Sequence, residues 1–327
     1  MENVKVLVLE GGFNEEHEVS IETGKQVKKS LSDLNIEYKS LLVNPLTFEK
    51  EIIKFKNNHL CFNALHGRFG EDGEIQKILD NLSFKYTHSN EEASSIGFNK
   101  ILSKKAIKNT EVLTAESITL DCKDLTQNIM IENYKNFGPF VIKPISSGSS
   151  FGVKIFKDEA SIIDLFNNEL DNLNIYKDHP KLLVEKFIEG RELTVAVIEK
   201  KNLSIPLEVT EIIYDNEYFD YKSKYTKGYS KHILPAVLPQ NIYHNCKIFA
   251  KIVHDKIKCR GISRSDFIYD GDNIYFLEIN TQPGLTAISL VPEQLRYKNV
   301  SFNEMITDII KCSLWKKNFQ IKKKLIF

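Results

Sequence analysis

Arg264, Asp266, Glu278 and Asn280 have the types and spacing of a site for a hard cation. Phe267-Ile268-Tyr269 and Ile274-Tyr275-Phe276-Leu277 are β-favouring runs, and the Asp270-Gly271-Asp272-Asn273 between them carries the Asp-Gly signal of a tight hairpin. Antiparallel pairing brings Asp266 close to Glu278 and Asn280, and alternation along the strand points Glu278 and Asn280 the same way. Such oxygen ligands suit Mg²⁺, which keeps some waters and completes its shell with nucleotide phosphates. Arg264 projects from the same face as Asp266, and a fixed guanidinium beside a metal suits a developing negative charge. Taken alone, the hairpin also fits an exposed turn with solvated acids.

The flanking sequence supplies partners for this chemistry. The segment P-I-S-S-G-S-S-F-G, residues 144 to 152, is a Gly/Ser loop with Lys143 at its root, able to fold over phosphates through backbone NH groups and hydroxyls. A flexible turn is the plain alternative. Leu182 to Ile188 reads as a buried strand leading into the turn Glu189-Gly190-Arg191, with Glu192 opening the next strand. An acid at each end of such a turn suits a nucleotide's amino group and its ribose hydroxyls. Glu16, His17, Glu18 and Ser20 crowd a helix start, where acids and serine are also ordinary capping residues. His66-Gly67-Arg68-Phe69-Gly70-Glu71-Asp72-Gly73 forms a glycine-rich loop at a strand's carboxyl end, the ligand side of an open α/β sheet.

These residues need a scaffold, and the periodicity outlines one. Val4 to Leu9 is a strand, Gly11-Gly12 a turn, and the run from Glu16 or Val19 to Leu31 a helix, which is how an α/β domain begins. With the strand Leu60 to Leu65 and the helix Glu74 to Leu82, residues 1 to about 95 form one small α/β unit. A Lys-rich helix, Lys100 to Lys108, and the strands Phe140 to Lys143, Val153 to Phe156 and Glu192 to Ile198 follow. Phe219 to Ser230 is polar, aromatic and aperiodic, the pattern of a lid loop. His244 to Lys258 is an amphipathic helix, and another runs from Ser301 to about Leu314.

Composition narrows the classes. A chain of 327 residues, 42% hydrophobic and 27% charged, has material for two or three domains with their own cores. Lys plus Arg and Asp plus Glu are 44 each, so no bulk field draws nucleic acid or an anionic membrane, and neither is expected as a partner. No apolar run reaches membrane-spanning length and the first residues lack a signal-peptide pattern, so the cytoplasm is the expected compartment. Cys61, Cys122, Cys246, Cys259 and Cys312 are scattered, without a C-x-x-C pair, and read as buried free thiols.

The motifs E-E-H-E-V-S at 15 to 20, A-L-H-G-R-F-G-E-D-G at 64 to 73 and V-I-K-P-I-S-S-G-S-S-F-G at 141 to 152 occur in one order with V-E-K-F-I-E-G-R-E at 184 to 192, D-Y-K-S-K-Y at 220 to 225, R-S-D at 264 to 266 and L-E-I-N-T-Q-P-G-L-T at 277 to 286. That order, spanning Val4 to about Leu314, resembles the ATP-grasp family of D-alanine–D-alanine ligases. The resemblance implies an α/β chain of ATP-grasp fold: an N-terminal open, Rossmann-like domain (1–98), a central α+β lid domain (99–185), a C-terminal α+β catalytic domain (186–316) and a basic tail (317–327). It also implies a homodimer, with ATP and D-alanine as small-molecule partners and two Mg²⁺ (or Mn²⁺) as cofactors.

Carried over residue by residue, the resemblance assigns Lys100 and Lys143 to the ATP phosphates, with the loop containing Ser146, Ser147 and Ser150 as a cover. Glu185, Lys186, Phe187, Ile188 and Glu192 match the adenosine pocket, and Asp266, Glu278 and Asn280 match the ligands of the two metal ions. Glu16 matches the residue that fixes the first D-alanine's amino group, in a hydrogen-bonded set with Ser149 and Tyr225, and His66 lies beside that substrate. Arg264 and the Gly284 NH match the groups around the acyl oxygen, while Ser289 and Leu290 receive the second carboxylate. Lys224-Tyr225 goes with dipeptide rather than ester formation. Two departures, Asn14 where serine is usual and Phe187 where tryptophan is frequent, remove neither a charge nor a metal ligand. Within this resemblance, a ligase making D-alanyl-D-lactate or another dipeptide, and a non-catalytic nucleotide-binding protein, are the alternatives.

Overall fold

The computed structural model describes residues 4–55, 59–168, 170–214 and 230–314, so Lys224, Tyr225, most of the expected lid loop and the basic tail lie outside the described residues. The first sheet is parallel, ordered β2-β1-β3-β4: β1 (Val6–Gly11), β2 (Tyr38–Val43), β3 (Leu60–Asn63) and β4 (Lys85–Tyr86). Its helices include α1 (His17–Asp33), α2 (Phe48–Ile52) and α3 (Glu74–Asn81). β1 is buried on both faces, as a central parallel strand must be. Val6 and Val8 pack with Val27 and Leu31 of α1, while Leu7 and Leu9 pack with Phe48, Ile75 and Leu79.

Two helices, α4 (Glu91–Phe98) and α5 (Lys100–Ile107), and a two-residue strand β5 (Leu113–Thr114) lead onward. β6 (Ser117–Asp121), α6 (Gln127–Phe137), β7 (Phe140–Pro144), β8 (Lys154–Phe156), α7 (Glu159–Asn168) and β9 (Lys181–Lys186) follow. Their strands make an antiparallel sheet ordered β6-β9-β7-β8. Met130 of α6 and Ile162 and Leu165 of α7 cover its apolar residues.

The third sheet, β12-β11-β10-β13-β14-β5, uses β10 (Arg191–Lys200), β11 (Leu203–Tyr214), β12 (Ser230–Ile233), β13 (Ile262–Tyr269) and β14 (Ile274–Asn280). It is antiparallel except where β5 joins β14 in parallel. Helix α8 (Gln240–Ile257) covers one face with Cys246, Ala250, Val253 and Ile257. On the other, α9 (Leu290–Tyr297) and α10 (Phe302–Leu314) share a core with Val6, Val8 and Phe62 of the first sheet. Ile107 and Val112 lie in the core under α8, so the expected 99–185 unit contains a helix and a short strand that pack with the six-stranded sheet.

Several expectations are corrected. The twelve-residue strand β11 was not foreseen because Pro206 interrupts its run; it sits opposite Val197, where the β10–β11 register shifts and the missing NH is tolerated. α8 begins at Gln240 rather than His244. Ser230, placed at the end of the lid loop, begins β12. Cys61, Cys246 and Cys259 are buried free thiols, pushed up to about 12 by burial, whereas Cys122 and Cys312 are partly exposed. Among the described residues no helix is long and apolar enough to cross a membrane.

Candidate active site

The hairpin closes as the Asp-Gly signal predicts: the Asp270 carboxylate accepts from the NH groups of Asp272 (2.9 Å) and Asn273 (2.7 Å). The resulting register sets Asp266 opposite Glu278 and Arg264 opposite Asn280, with an irregularity just beyond Asp266. Both oxygens of the buried Asp266 are engaged. Arg264 Nε and Nη2 donate to them at 3.0 and 2.9 Å, and Thr194 Oγ1 donates to Oδ1 at 2.5 Å. Glu278 pairs with Lys100 at 3.2 Å. Asn280 Oδ1 accepts from the Gln282 NH at 2.9 Å, which fixes its orientation.

Two cavities flank the hairpin. One, of about 420 Å³, lies between the antiparallel β6-β9-β7-β8 sheet and the six-stranded sheet and is lined by Lys143, Ser150, Glu185, Lys186, Phe187, Ile188, Glu192, Asp266 and Glu278. The other, of about 90 Å³, is lined by Glu16, His66, Ser149, Arg264, Glu278, Asn280, Gly284, Ser289 and Leu290. Lys100, Ser147 and Glu278 line both, so the two spaces meet at that point. Ser146 lines neither, alone among the predicted residues that are described.

In the larger cavity a buried charge cluster dominates. Glu185 on β9 accepts from Lys143 of β7 at 2.6 Å and from Lys104 of α5. Burial alone would raise the Glu185 carboxyl, but Lys143 and Lys104 outweigh it and hold it below its ordinary range. Burial pulls both lysines down; Glu185 outweighs it for Lys143, whose pKa is raised, while Lys104 ends lowered. Asn99 caps α5 through its side chain, which sets Lys100 on the first turn, and Lys100 Nζ donates to the Ser147 carbonyl at 3.0 Å. Across the cavity, Tyr214 donates to Glu192 at 2.9 Å.

The smaller cavity is held by directional hydrogen bonds. Glu16 sits at the N-cap position of α1 but caps nothing: its carboxylate accepts from Ser149 at 2.5 Å, across the chain. Asn14, the departure from the usual serine, accepts from the Glu16 NH and donates to the His66 and Arg68 carbonyls, joining the two loops. Gly67 has φ +68°, and a Cβ there would lie 2.5 Å from Glu16 Oε2, so the close approach requires glycine. His66 is buried with Nε2 on Thr23 Oγ1 (2.9 Å) and Nδ1 on Glu71 (3.1 Å). Burial pushes the Glu71 carboxyl up to about 7, and the nearby Glu16 charge adds to this.

At the far end, α9 starts at Leu290 with Ser289 as its N-cap. The first-turn NH groups have no intrahelical partners and can meet a carboxylate. His232 of β12 lines this end and pairs with Glu293 of α9 at 2.8 Å.

Residues 106–311 match the family model described as "D-ala D-ala ligase C-terminus". The curated D-alanine–D-alanine ligase of Pelagibacter ubique is 40% identical, the match covering 94% of this chain and 97% of that protein. The chain belongs to the D-alanine–D-alanine ligase family. Two crystal structures of the D-alanine–D-alanine ligase from Bacillus anthracis share the fold, at 29% and 26% identity and TM-scores of 0.79 and 0.77, each covering 95% of this chain and 97% of that chain. The second is complexed with ATP.

Within this ligase-family fold, reasoning from sequence missed Lys104, Glu71, Thr23 and His232 as site residues. Glu71 stood inside a quoted motif but was given no role. Lys104, from the Lys-rich helix, reaches a carboxylate 81 positions away, a partnership that no local spacing signals.

Proposed function

We propose that the chain joins two D-alanine molecules into D-alanyl-D-alanine, converting ATP to ADP and phosphate by way of an acyl phosphate. The observation that carries this reading is the junction of the two cavities at Lys100, Ser147 and Glu278: a nucleotide in the larger space and an amino acid in the smaller one would meet there, phosphate to carboxylate.

A carboxylate is a poor electrophile, and phosphorylation makes it one. Lys100 and Lys143 neutralise phosphate charge, and the serine loop brings Ser147 and Ser150 over it. Glu16 with Ser149 holds the first amino group, and His66, fixed by Thr23 and Glu71, lies beside it. The second substrate's carboxylate is received at the start of α9 by Ser289 and Leu290, which aims its amine at the activated carbon. Arg264 and the Gly284 NH serve the tetrahedral oxyanion.

The donor set fits hard divalent cations. Among the described residues no group of three His, Cys, Asp or Glu can hold a metal, so two carboxylates completed by the Asn280 amide oxygen is the arrangement this hairpin offers. The carboxylate oxygens of Asp266 and Glu278 keep acceptor capacity beyond their present partners. Two Mg²⁺ or Mn²⁺ ions held by Asp266, Glu278 and Asn280 would screen the charge between the anions.

Mass spectrometry after incubation with ATP, Mg²⁺ and D-alanine tests the proposal. D-alanyl-D-alanine with equimolar ADP is expected, and no ester when D-lactate competes. ADP without dipeptide, or a preferred ester, overturns it.

A further inference from the structure

We infer that a buried amide pair, Asn63 with Gln282, holds the first amino-acid seat in register with the reacting end of the hairpin, which makes both positioning residues for the ligation. The inference rests on the ligase reading above. Asn63 ends β3 and Gln282 follows β14, 219 positions apart, and they are 1% and 2% exposed. Asn63 Nδ2 donates to Gln282 Oε1 at 2.8 Å and to the Gly70 carbonyl at 2.9 Å. Gln282 Nε2 donates to the Leu65 carbonyl, immediately before His66, while the Gln282 backbone NH holds Asn280 Oδ1 at 2.9 Å.

One residue thus touches the His66 loop with its side chain and orients a proposed metal ligand with its backbone. Gly284, whose NH serves the oxyanion, lies two positions further on. A second tie runs parallel: the Leu285 NH donates to Thr23 Oγ1 at 3.4 Å, and Thr23 holds His66.

Packing alone does not explain this pair. A leucine fills similar volume without the cost of burying two amides, which is tolerated only when each polar atom is satisfied. Here the satisfied atoms tie the residue before His66 to the segment that follows the hairpin. A displacement of about 1 Å between them would cost about 100-fold in rate. The latch spans the first and third sheets and involves neither the antiparallel β6-β9-β7-β8 sheet nor the larger cavity, so its loss should be felt at the amino-acid seat and not at the nucleotide.

Gln282→Leu is the direct test, read by calorimetry with D-alanine in the presence of a non-hydrolysable ATP analogue, and with the analogue alone. D-alanine binding should weaken about tenfold, because the Leu65 carbonyl and the Asn63 amide are stranded, while analogue binding stays within about twofold. The swap Asn63→Gln with Gln282→Asn should recover D-alanine binding to within about threefold of wild type, since the two sites couple directly. If Gln282→Leu does not unfold cooperatively, Asn63→Ala removes the same contact from the other side and is read in the same way. D-alanine binding unchanged in a folded variant, D-alanine and analogue weakened alike, or a swap no better than the single change each overturns the inference. A wild type that binds D-alanine yet makes no dipeptide would instead sink the ligase reading, with the latch still measured by binding.

Discussion

Glu185 and Glu71 are both buried acids in cavity walls, 3% and 8% exposed, yet their surroundings push them in opposite directions. Glu185 lies between Lys104 and Lys143 and is held below the ordinary carboxylate range against the pull of burial. Glu71 has an imidazole on one side and the Glu16 charge nearby, so burial wins and its carboxyl rises to about 7. The proposed nucleotide side of the site is therefore built from fixed charges, and the proposed amino-acid side from hydrogen bonds in which a proton can come and go near neutrality. The difference suits the ligands: a polyphosphate needs permanent cations, whereas a small zwitterion needs direction.

This contrast can be broken by substitution. The largest effect should come from the hairpin that serves both sides. Asp266→Ala removes a proposed metal ligand and a bidentate partner of Arg264, and ADP release with D-alanine should fall about 1,000-fold; a loss under about tenfold would remove the hairpin from the chemistry. Next comes Glu185→Ala, which leaves the buried Lys143 and the half-buried Lys104 without their carboxylate. Stability by urea unfolding should drop about 4 kcal/mol, and an unchanged midpoint would show that the cluster is not the rigid charge set described.

Glu71→Gln sharpens the other side of the contrast. Because the folded carboxyl titrates at about 7, above the ordinary 4.5, the folded state binds this proton more tightly than the unfolded one. Stability present at low pH is lost as pH rises from 4.5 to about 7, then levels. The variant should flatten that slope, so that by pH 8 it gains on wild type by an amount on the order of 3 kcal/mol. Parallel pH–stability curves for the two proteins would contradict the assignment. The smallest effect is expected from Ser149→Ala, which removes one hydrogen bond to Glu16; D-alanine binding should weaken about tenfold with nucleotide binding unchanged.

Much of this was legible in the chain because the signals are local. The hairpin register that sets Asp266 against Glu278 follows from two β-rich runs and an Asp-Gly turn. Lys143 at the root of the serine loop and the helix after Gly11-Gly12 were readable for the same reason. The partnerships that tune the site were not. Lys104 with Glu185 and Asn63 with Gln282 join residues 81 and 219 positions apart, and neither periodicity nor propensity carries information over such separations; Ser149 with Glu16, 133 apart, came only from the family resemblance. Glu16 also shows how type alone misleads: it stands at a helix N-cap, where an acid is unremarkable, and turns its carboxylate elsewhere.

The pairing of Arg264 with both oxygens of Asp266 means that this acid already has a tethered counterion supplied by its own strand. Under the proposed metal reading, a divalent ion drawing on Asp266 would share the carboxylate with a rival held at a fixed local concentration, so half-saturation would demand more ion than a bare carboxylate does. On that reading, loading of the site would loosen the Arg264–Asp266 pair, which would couple ion binding to the guanidinium proposed to serve the oxyanion.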